Sequence, residues 1–413
     1  KYSKFKMYMN LTYFIKFLLI SLLLQSNICN IHSTNVDNKN KKSEIIVGAN
    51  QISEYINYLK NKKIAVVANH TSVIFKKDNT FTHIVDSLIS LNVNISKIFT
   101  PEHGYKGENY NGENVSDDID PNTGLEIISL HGKDRAYGVI SDSDLIDIDL
   151  IIFDIQDVGT RFYTHISTLH YVMEACAKNN IQLMVFDRPN PNGSYVDGPV
   201  LEISNKSFVG MHSVPIVYGM TIGEYALMIN GEGWLSNNIQ CKLKVIKNLN
   251  YKHDYNYSLI IKPSPNLPND KSIYLYPSLC LFEGTNISVG RGTSNQFQVY
   301  GSPYLDKSKY SYTFIPKPNQ GSKYPPHNNE KCYGVDLRDK LLERKLNLSY
   351  IIDAYKNTEN KSEFFNNYFI KLSGTEDLKK QIINNVDEDI IRKSWKNKID
   401  EFKLIREKYL IYQ

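Results

Sequence analysis

Mostly apolar runs of four or five residues, each stopped by a polar cluster, punctuate the first half of the chain. Ile64 to Ala68 ends in Asn69-His70-Thr71, and Ile95 to Phe99 ends in Thr100-Pro101-Glu102-His103-Gly104. Leu150 to Phe153 ends in Asp154-Ile155-Gln156-Asp157, and Gln182 to Phe186 ends in Asp187-Arg188-Pro189-Asn190. Such runs predict buried strands, as does Glu126 to Leu130. Between them the apolar positions change to helical spacing. Ile52, Tyr55, Ile56 and Leu59 mark a helix over Gln51 to Lys60; Ile84, Val85, Leu88 and Leu91 mark one over Phe81 to Leu91; a third covers Ser167 to Asn179. Continuous apolar strands alternating with amphipathic helices predict a parallel sheet covered on both faces, an α/β Rossmann-like arrangement. The polar clusters then fall at carboxyl ends of strands, where open α/β sheets meet their ligands.

The stretch Gly104 to Gly124 is polar, Gly- and Asn-rich and too irregular for a regular element; a loop this long is either functional or disordered. Thr221 is placed to cap a helix carrying Ile222, Tyr225, Ala226 and Met228. Beyond it the texture changes, with Pro263, Pro265, Pro268 and Pro277 close together and then Gly284, Gly290, Gly292 and Gly301. A domain boundary is expected near residue 235, dividing a Rossmann-like domain (44–235) from a smaller α+β C-terminal domain (236–413) with helices around Leu341, Ile351, Phe364 and Ile390.

The N-terminus is of another kind. Lys1, Lys4 and Lys6 precede a mostly apolar run, Leu11 to Leu24, with Lys16 its only charge. That is a secretory signal pattern, too short for a spanning helix. Residues 1–30 are read as a signal peptide and 31–43 as a solvated linker, which puts the body of the protein outside the cytoplasm, periplasmic or secreted, with no stable membrane span in the mature chain. The residues before Cys29 are not the small ones lipoprotein processing prefers, so ordinary cleavage near residue 30 is the expectation over a lipid anchor.

Composition narrows the function. A chain of 413 residues with 41% hydrophobic content can hold two domains, and a formal net charge of +4 with interspersed Lys, Asp and Glu offers no basic stripe for nucleic acid. Cys176, Cys241, Cys280 and Cys332 are widely spaced and read as buried free thiols. There is no paired Cys/His spacing for zinc and no G-x-S-x-G elbow. Asn69-His70-Thr71-Ser72-Val73 stands where a dinucleotide fold would need a glycine-rich phosphate turn. No metal and no cofactor are expected. The 29 Tyr can supply sugar-stacking surfaces.

Glu102 is the foremost candidate for chemistry. A carboxylic acid at a strand end, beside His103 and a turn glycine, suits proton donation to a leaving oxygen; the competing reading is a loop Glu that caps a backbone amide. Glu113 and Asp117, in the long loop, are possible second carboxylates. Asp154, Gln156, Asp157, Arg161 and Tyr163 form a dense polar run in which Arg161 either forks onto a substrate carboxylate or pairs internally with Asp157. Asp187 and Arg188 read either as substrate contacts or as a pair that neutralise one another. His165 and His170, the latter four residues before Glu174, are set aside from the chemistry. Glu283 to Thr293 has glycine at three of eleven positions and looks like a recognition loop presenting Glu283, Asn286, Arg291 and Thr293, with a tight structural turn as the alternative. Pro263 to Pro268 is read as a rigid segment presenting Asn266. Asn69, His70, Glu113, Asp157, Arg161, Tyr163, Arg188, Asn190, Asn266, Glu283, Asn286, Arg291 and Thr293 are together the candidate substrate contacts.

Taken in order, Asn69-His70-Thr71-Ser72, Pro101-Glu102-His103-Gly104, Phe153 to Gly159, Arg161-Phe162-Tyr163-Thr164, Asp187 to Pro191, Asp197 to Val200, Tyr276-Pro277 and Glu283 through Thr293 resemble the motifs of one family. It is the family long known as domain of unknown function 1343, the NamZ-type exo-β-N-acetylmuramidases of glycoside hydrolase family 171. The resemblance runs from about Glu44 to Tyr409-Leu410-Ile411-Tyr412. It implies removal of terminal N-acetylmuramic acid from the non-reducing end of peptidoglycan-derived saccharides, in a cleft between the two domains. Such a substrate calls for a carboxylic acid at the glycosidic oxygen and an arginine at the lactyl carboxylate, so Glu102 is assigned as general acid/base with His103 as its neighbour, and Arg291 or Arg161 as the carboxylate clamp. The rival from another class is a non-catalytic cell-envelope protein that binds sugars or muropeptides; a transferase would need the phosphate cradle that the first strand lacks.

Overall fold

The computed structural model describes residues 44–78, 80–109, 116–132 and 138–412. Its centre is a seven-stranded sheet. In chain order the elements of the first part are helix α1 (Ile52–Leu59), strand β1 (Ile64–Ala68), a hairpin of β2 (Val73–Phe75) and β3 (Phe81–His83), helix α2 (Ile84–Ser90), and strands β4 (Ile95–Thr100), β5 (Asp118–Ile119), β6 (Glu126–Ser129) and β7 (Leu150–Asp154). Helix α3 (His165–Lys178), β8 (Gln182–Phe186), α4 (Ile222–Gly231) and β9 (Lys242–Ile246) follow. The sheet order is β5-β6-β4-β1-β7-β8-β9, parallel throughout except for the short edge strand β5. Its six parallel strands have the doubly wound order of a Rossmann fold, as the apolar runs predicted.

Both faces of the sheet are covered, which is why β1 and β7 read as unbroken apolar runs: all five residues of each are buried. Ile64, Val66 and Ala68 face the side packed by α1 and α2 residues such as Tyr55, Leu59, Val85 and Leu88. Ala65 and Val67 face α3 and α4, with Leu169, Val172, Tyr225 and Ile229. The cap expected at Thr221 is present as part of a capping box, its side chain accepting from the Glu224 amide while Glu224 accepts from the Thr221 amide.

Some expectations shift. The helix expected from Phe81 begins only at Ile84, because Phe81–His83 pairs antiparallel with Val73–Phe75. β5 lies within the stretch expected to hold no regular element. The sheet also continues past residue 235, since β9 hydrogen-bonds to β8. The C-terminal part contains α5 (Asp270–Leu279), a three-stranded antiparallel sheet of β10 (Val299–Ser302), β11 (Tyr312–Phe314) and β12 (Cys332–Asp336), and helices α6 (Ser349–Lys356), α7 (Tyr368–Ser373), α8 (Asp377–Ile383), α9 (Glu388–Ser394) and α10 (Lys396–Glu407). Leu341 is in no helix; it lies 94% exposed in an irregular stretch, so its apolar neighbours have no face to bury. Phe364 follows a single 3-10 turn instead of lying in an α-helix. Val158, Phe162 and Tyr163, from the loop after β7, join the apolar core of this second part. Residues 46–413 form one compact unit. The four described cysteines are buried free thiols, and no helix among the described residues is long and apolar enough to cross a membrane.

Candidate active site

In a doubly wound sheet the ligand crevice is expected between β1 and β7, where the winding reverses. Here the chain fills it. Ser72 donates its hydroxyl to the Asp154 carbonyl, and the Gln156 amide donates to Thr71 Oγ1 at 3.1 Å. Asn69 is spent on the same turn, its Oδ1 accepting from the Thr71 amide at 2.9 Å and the Thr71 hydroxyl at 2.6 Å.

The cavity lies to one side, over the ends of β4 and β6 and the start of α3. It measures about 330 Å³, near the lower end of ligand-sized pockets, which span about 300–1,000 Å³. Glu102 and His103 reach it from β4. The turn is made by two successive left-handed residues, His103 at φ 70° and Gly104 at φ 73°. A histidine there costs on the order of 1 kcal/mol of backbone strain, and its ring is fixed by Nδ1 against the Asn109 carbonyl at 2.8 Å. Thr164, the N-cap of α3, makes no side-chain bond to its own helix; its hydroxyl donates to Glu102 Oε2 at 3.1 Å. Glu102 therefore sits beside the positive end of a 14-residue helix.

Two more histidines line the cavity. Burial pushes the His131 imidazole below its usual value, with Glu102 opposing. Burial also pushes His165 down, to about 3, and neither of its ring nitrogens has a hydrogen-bond partner among the described residues. His165, set aside from the chemistry on sequence, lines the cavity, whereas His170 lies elsewhere, bonded to His212 at 3.0 Å. His131 stands directly after the predicted strand Glu126 to Leu130, the same strand-end position that marks the other polar clusters, yet it is not among the candidate residues.

The C-terminal part closes the other side. Tyr163, Phe162, Tyr276 and Phe297 form an edge-to-face aromatic wall, with Tyr276 centred 5.4 Å from Phe162, 5.9 Å from Tyr163 and 4.9 Å from Phe297. Tyr163 is held by its hydroxyl bond to the Pro263 carbonyl at 2.8 Å. Arg291 and Glu283 line the same cavity as an ion pair, and Arg291 lies 5.1 Å over the Phe297 ring. Arg291 Nη1 has no hydrogen-bond partner among the described residues, although it is buried. A buried guanidinium N–H left open beside a cavity is a ready donor for an anionic ligand group. Asn266 also lines the cavity, with its amide donating to the Gly321 carbonyl at 2.7 Å and its Oδ1 unpartnered among the described residues.

Several candidate contacts lie elsewhere. Arg161 is completely buried, and its two terminal nitrogens donate to the carbonyls of Pro199, Val214, Leu372 and Ser373 at 2.7 to 2.9 Å. It clamps backbone, and Asp157 is not its partner. Asp157 accepts from the Tyr218 hydroxyl and the Gly159 amide, and burial raises its carboxyl to about 6. Arg188 forks onto Asp154, at 2.6 and 2.9 Å, instead of neutralising Asp187. Asn190 bonds the Met220 carbonyl and the Asn192 amide. Asn286 is held through its backbone, by the Phe364 carbonyl and His327. His70 and Thr293 line an adjoining cleft. Glu113 lies outside the described residues. In the loop from Glu283, the left-handed Gly290 and Gly292 approach neighbouring chain, not a ligand: an added Cβ would come within 2.8 Å of the Asn295 carbonyl oxygen and 2.6 Å of the Lys317 one.

Comparison with known proteins agrees with this architecture. Residues 64–271 match the family described as Exo-beta-N-acetylmuramidase NamZ, N-terminal, and residues 274–412 match its C-terminal counterpart. The chain is 35% identical over 404 residues to the peptidoglycan beta-N-acetylmuramidase NamZ of Bacillus subtilis (strain 168), covering 92% of this chain and 95% of that protein. Two crystal structures of DUF1343 family proteins from Bacteroides fragilis NCTC 9343 superpose on it. One has a TM-score of 0.81 at 44% identity, covering 90% of this chain and 99% of the other. The second has a TM-score of 0.74 at 28% identity, covering 89% and 99%. With both halves matched along nearly the whole described length, the chain belongs to the NamZ exo-β-N-acetylmuramidase family.

Proposed function

We propose that this protein is an exo-acting glycoside hydrolase that releases terminal N-acetylmuramic acid from the non-reducing end of peptidoglycan fragments, with Glu102 as general acid and Arg291 as the reader of the lactyl carboxylate. One observation carries the reading: Glu102 and Arg291 open onto the same small, aromatic-walled cavity, which has room for about one saccharide. N-acetylmuramic acid has the two groups that such a cavity would engage, a glycosidic oxygen and a carboxylate. In the reaction the Glu102 proton passes to the glycosidic oxygen as the bond to the anomeric carbon breaks, and the electron pair leaves with the departing saccharide. Water supplies the oxygen that replaces it. The aromatic wall supports the sugar, and the open Nη1 of Arg291 supports recognition of the lactyl group over a plain N-acetylglucosamine.

The secretory reading of residues 1–30 accords with this substrate, because peptidoglycan lies outside the cytoplasmic membrane; protease accessibility of the protein in intact cells tests it. The catalytic reading is tested with para-nitrophenyl β-N-acetylmuramide beside the N-acetylglucosaminide. Turnover of the muramide alone, lost in Glu102→Gln, is the expected result. Muropeptide binding without turnover, unchanged in that variant, would return the protein to the class of envelope binding proteins.

A further inference from the structure

The 330 Å³ cavity is continuous at one residue with a larger cleft of about 840 Å³: Ser264 lines both. The same chain segments lead from one to the other. Arg291 faces the cavity while Gly292 and Thr293 face the cleft, and the turn carrying Glu102 and His103 runs on to Lys106 and Glu108 at the cleft wall. We infer that this cleft receives the departing saccharide and that its lysines, Lys106, Lys262 and Lys317, recognise a carboxylate on it. The inference rests on the hydrolase reading above for the position of the bond that breaks, and it adds what the enzyme selects on the far side of that bond.

A general acid must face the oxygen between the two sugars, so the leaving group lies on the side of Glu102. The chain that continues from Glu102 lines the cleft, and the cleft has more than twice the volume of the cavity. Its charge is one-sided. Three lysines line it against a single carboxylate, Glu108, and none of the three forms an ion pair among the described residues. All three lysines are exposed, and the backbones of Lys262 and Lys317 are anchored. The Lys262 carbonyl bonds His70 Nε2 at 2.7 Å, and the Lys317 amide donates to the Gly292 carbonyl at 2.9 Å. Burial lowers the pKa of His70, which leaves the lysines as the cationic groups of the wall at neutral pH.

Peptidoglycan alternates N-acetylglucosamine with N-acetylmuramic acid. The sugar next to the cleaved bond is therefore neutral, and the one after it bears a lactyl carboxylate or a peptide that ends in carboxylates. A carboxylate-bearing saccharide is the ligand chemistry that both sources share. Three exposed ammonium groups attract it with modest strength each, and the attraction is screened by salt.

The test compares kcat/KM for a trisaccharide with N-acetylmuramic acid at both ends, its second lactyl group as the free acid or the methyl ester, and for the form bearing a peptide there. The Lys262→Gln/Lys317→Gln variant alters exposed side chains only. Wild-type protein should prefer the free acid or the peptide acid over the ester, and the double variant should reduce that preference about threefold to tenfold, as should roughly 0.5 M salt. Preference for the free lactyl acid identifies the glycan as the source; preference only for the peptide acid identifies the stem. Equal rates for acids and ester in the wild type, or a preference untouched in the variant, would overturn the inference. Calorimetric binding of N-acetylglucosaminyl-N-acetylmuramic acid against chitobiose separates the two claims: lysine-dependent binding of the acid, with no hydrolysis of the trisaccharides, would sink the hydrolase reading and leave the cleft as a site for a carboxylate-bearing saccharide.

Discussion

Thr164 donates its hydroxyl to Glu102 Oε2 across 3.1 Å, joining the end of β4 to the first turn of α3, 62 residues further along the chain. The bond orients one carboxyl oxygen and leaves the other directed by its remaining surroundings. A residue that holds the proton donor in place should affect turnover more than binding.

Thr164→Val is accordingly expected to lower kcat on the chromogenic muramide about threefold to tenfold while KM changes little, the size expected for one hydrogen bond to a charged or reacting group. Thr164→Ser should recover most of the loss. Equal changes in KM and kcat/KM would mean that the hydroxyl contributes to uniform binding instead.

Arg291→Gln removes the guanidinium that faces the cavity. We expect kcat/KM on the muramide to fall by about 10²-fold, with the preference over the N-acetylglucosaminide falling in parallel, since a charge-assisted fork contributes roughly 1.5–3 kcal/mol. Arg291→Lys should recover only part of it, because a single ammonium cannot reproduce the fork and must also satisfy Glu283. An undiminished preference for the muramide would remove Arg291 from lactyl recognition.

Arg161→Met tests a structural assignment. The variant leaves four buried carbonyls, two of them more than 200 residues away in sequence, without their donor. Loss of about 3 kcal/mol or more in unfolding free energy is expected, together with near-normal kcat/KM per folded molecule. A large rise in KM with unchanged stability would return Arg161 to the substrate.

His165 links stability to pH. Its imidazole is held down to about 3 by burial, below the value near 6.5 of an unfolded chain. Between those values the unfolded state binds the proton and the folded state does not, so the contribution is intact above about pH 6.5 and is lost as pH falls towards 3. Asp157, raised to about 6 by burial, works in the opposite direction, favouring the fold at low pH and losing that contribution as pH rises through 6. His165→Gln should therefore lose less stability than the wild type between pH 7 and 4.5, by on the order of 2 kcal/mol. Parallel denaturation curves for the two proteins across that range would show that the imidazole is not kept neutral by the fold.

The central sheet was legible from sequence because burial on both faces demands unbroken apolar strands, and β1, β7 and β8 declare themselves by nothing else. Glu102 was legible for a related reason: it lies two residues past the end of β4, at the edge of the sheet where ligands can reach it. The hairpin that takes Phe81–His83 from the expected helix was not legible, because three residues pair only when a partner strand is nearby.

Roles at the site divide along the same line. Asn69, Asp157, Arg161, Arg188 and Asn190 stand after strands as Glu102 and His103 do, and all of them bond within the protein, but of this set Glu102 and His103 line the cavity. Arg161 shows why: its partners come from 38, 53, 211 and 212 residues away, and local sequence has no record of them. His131 enters the site from the end of β6 and His165 from the first turn of α3. The sequence by itself determined where strands form and which of their ends are polar, because burial and periodicity act over a few residues. Only the tertiary structure decided which of those polar groups is left open to a ligand, because a buried donor or acceptor takes whatever partner the fold brings within about 3 Å.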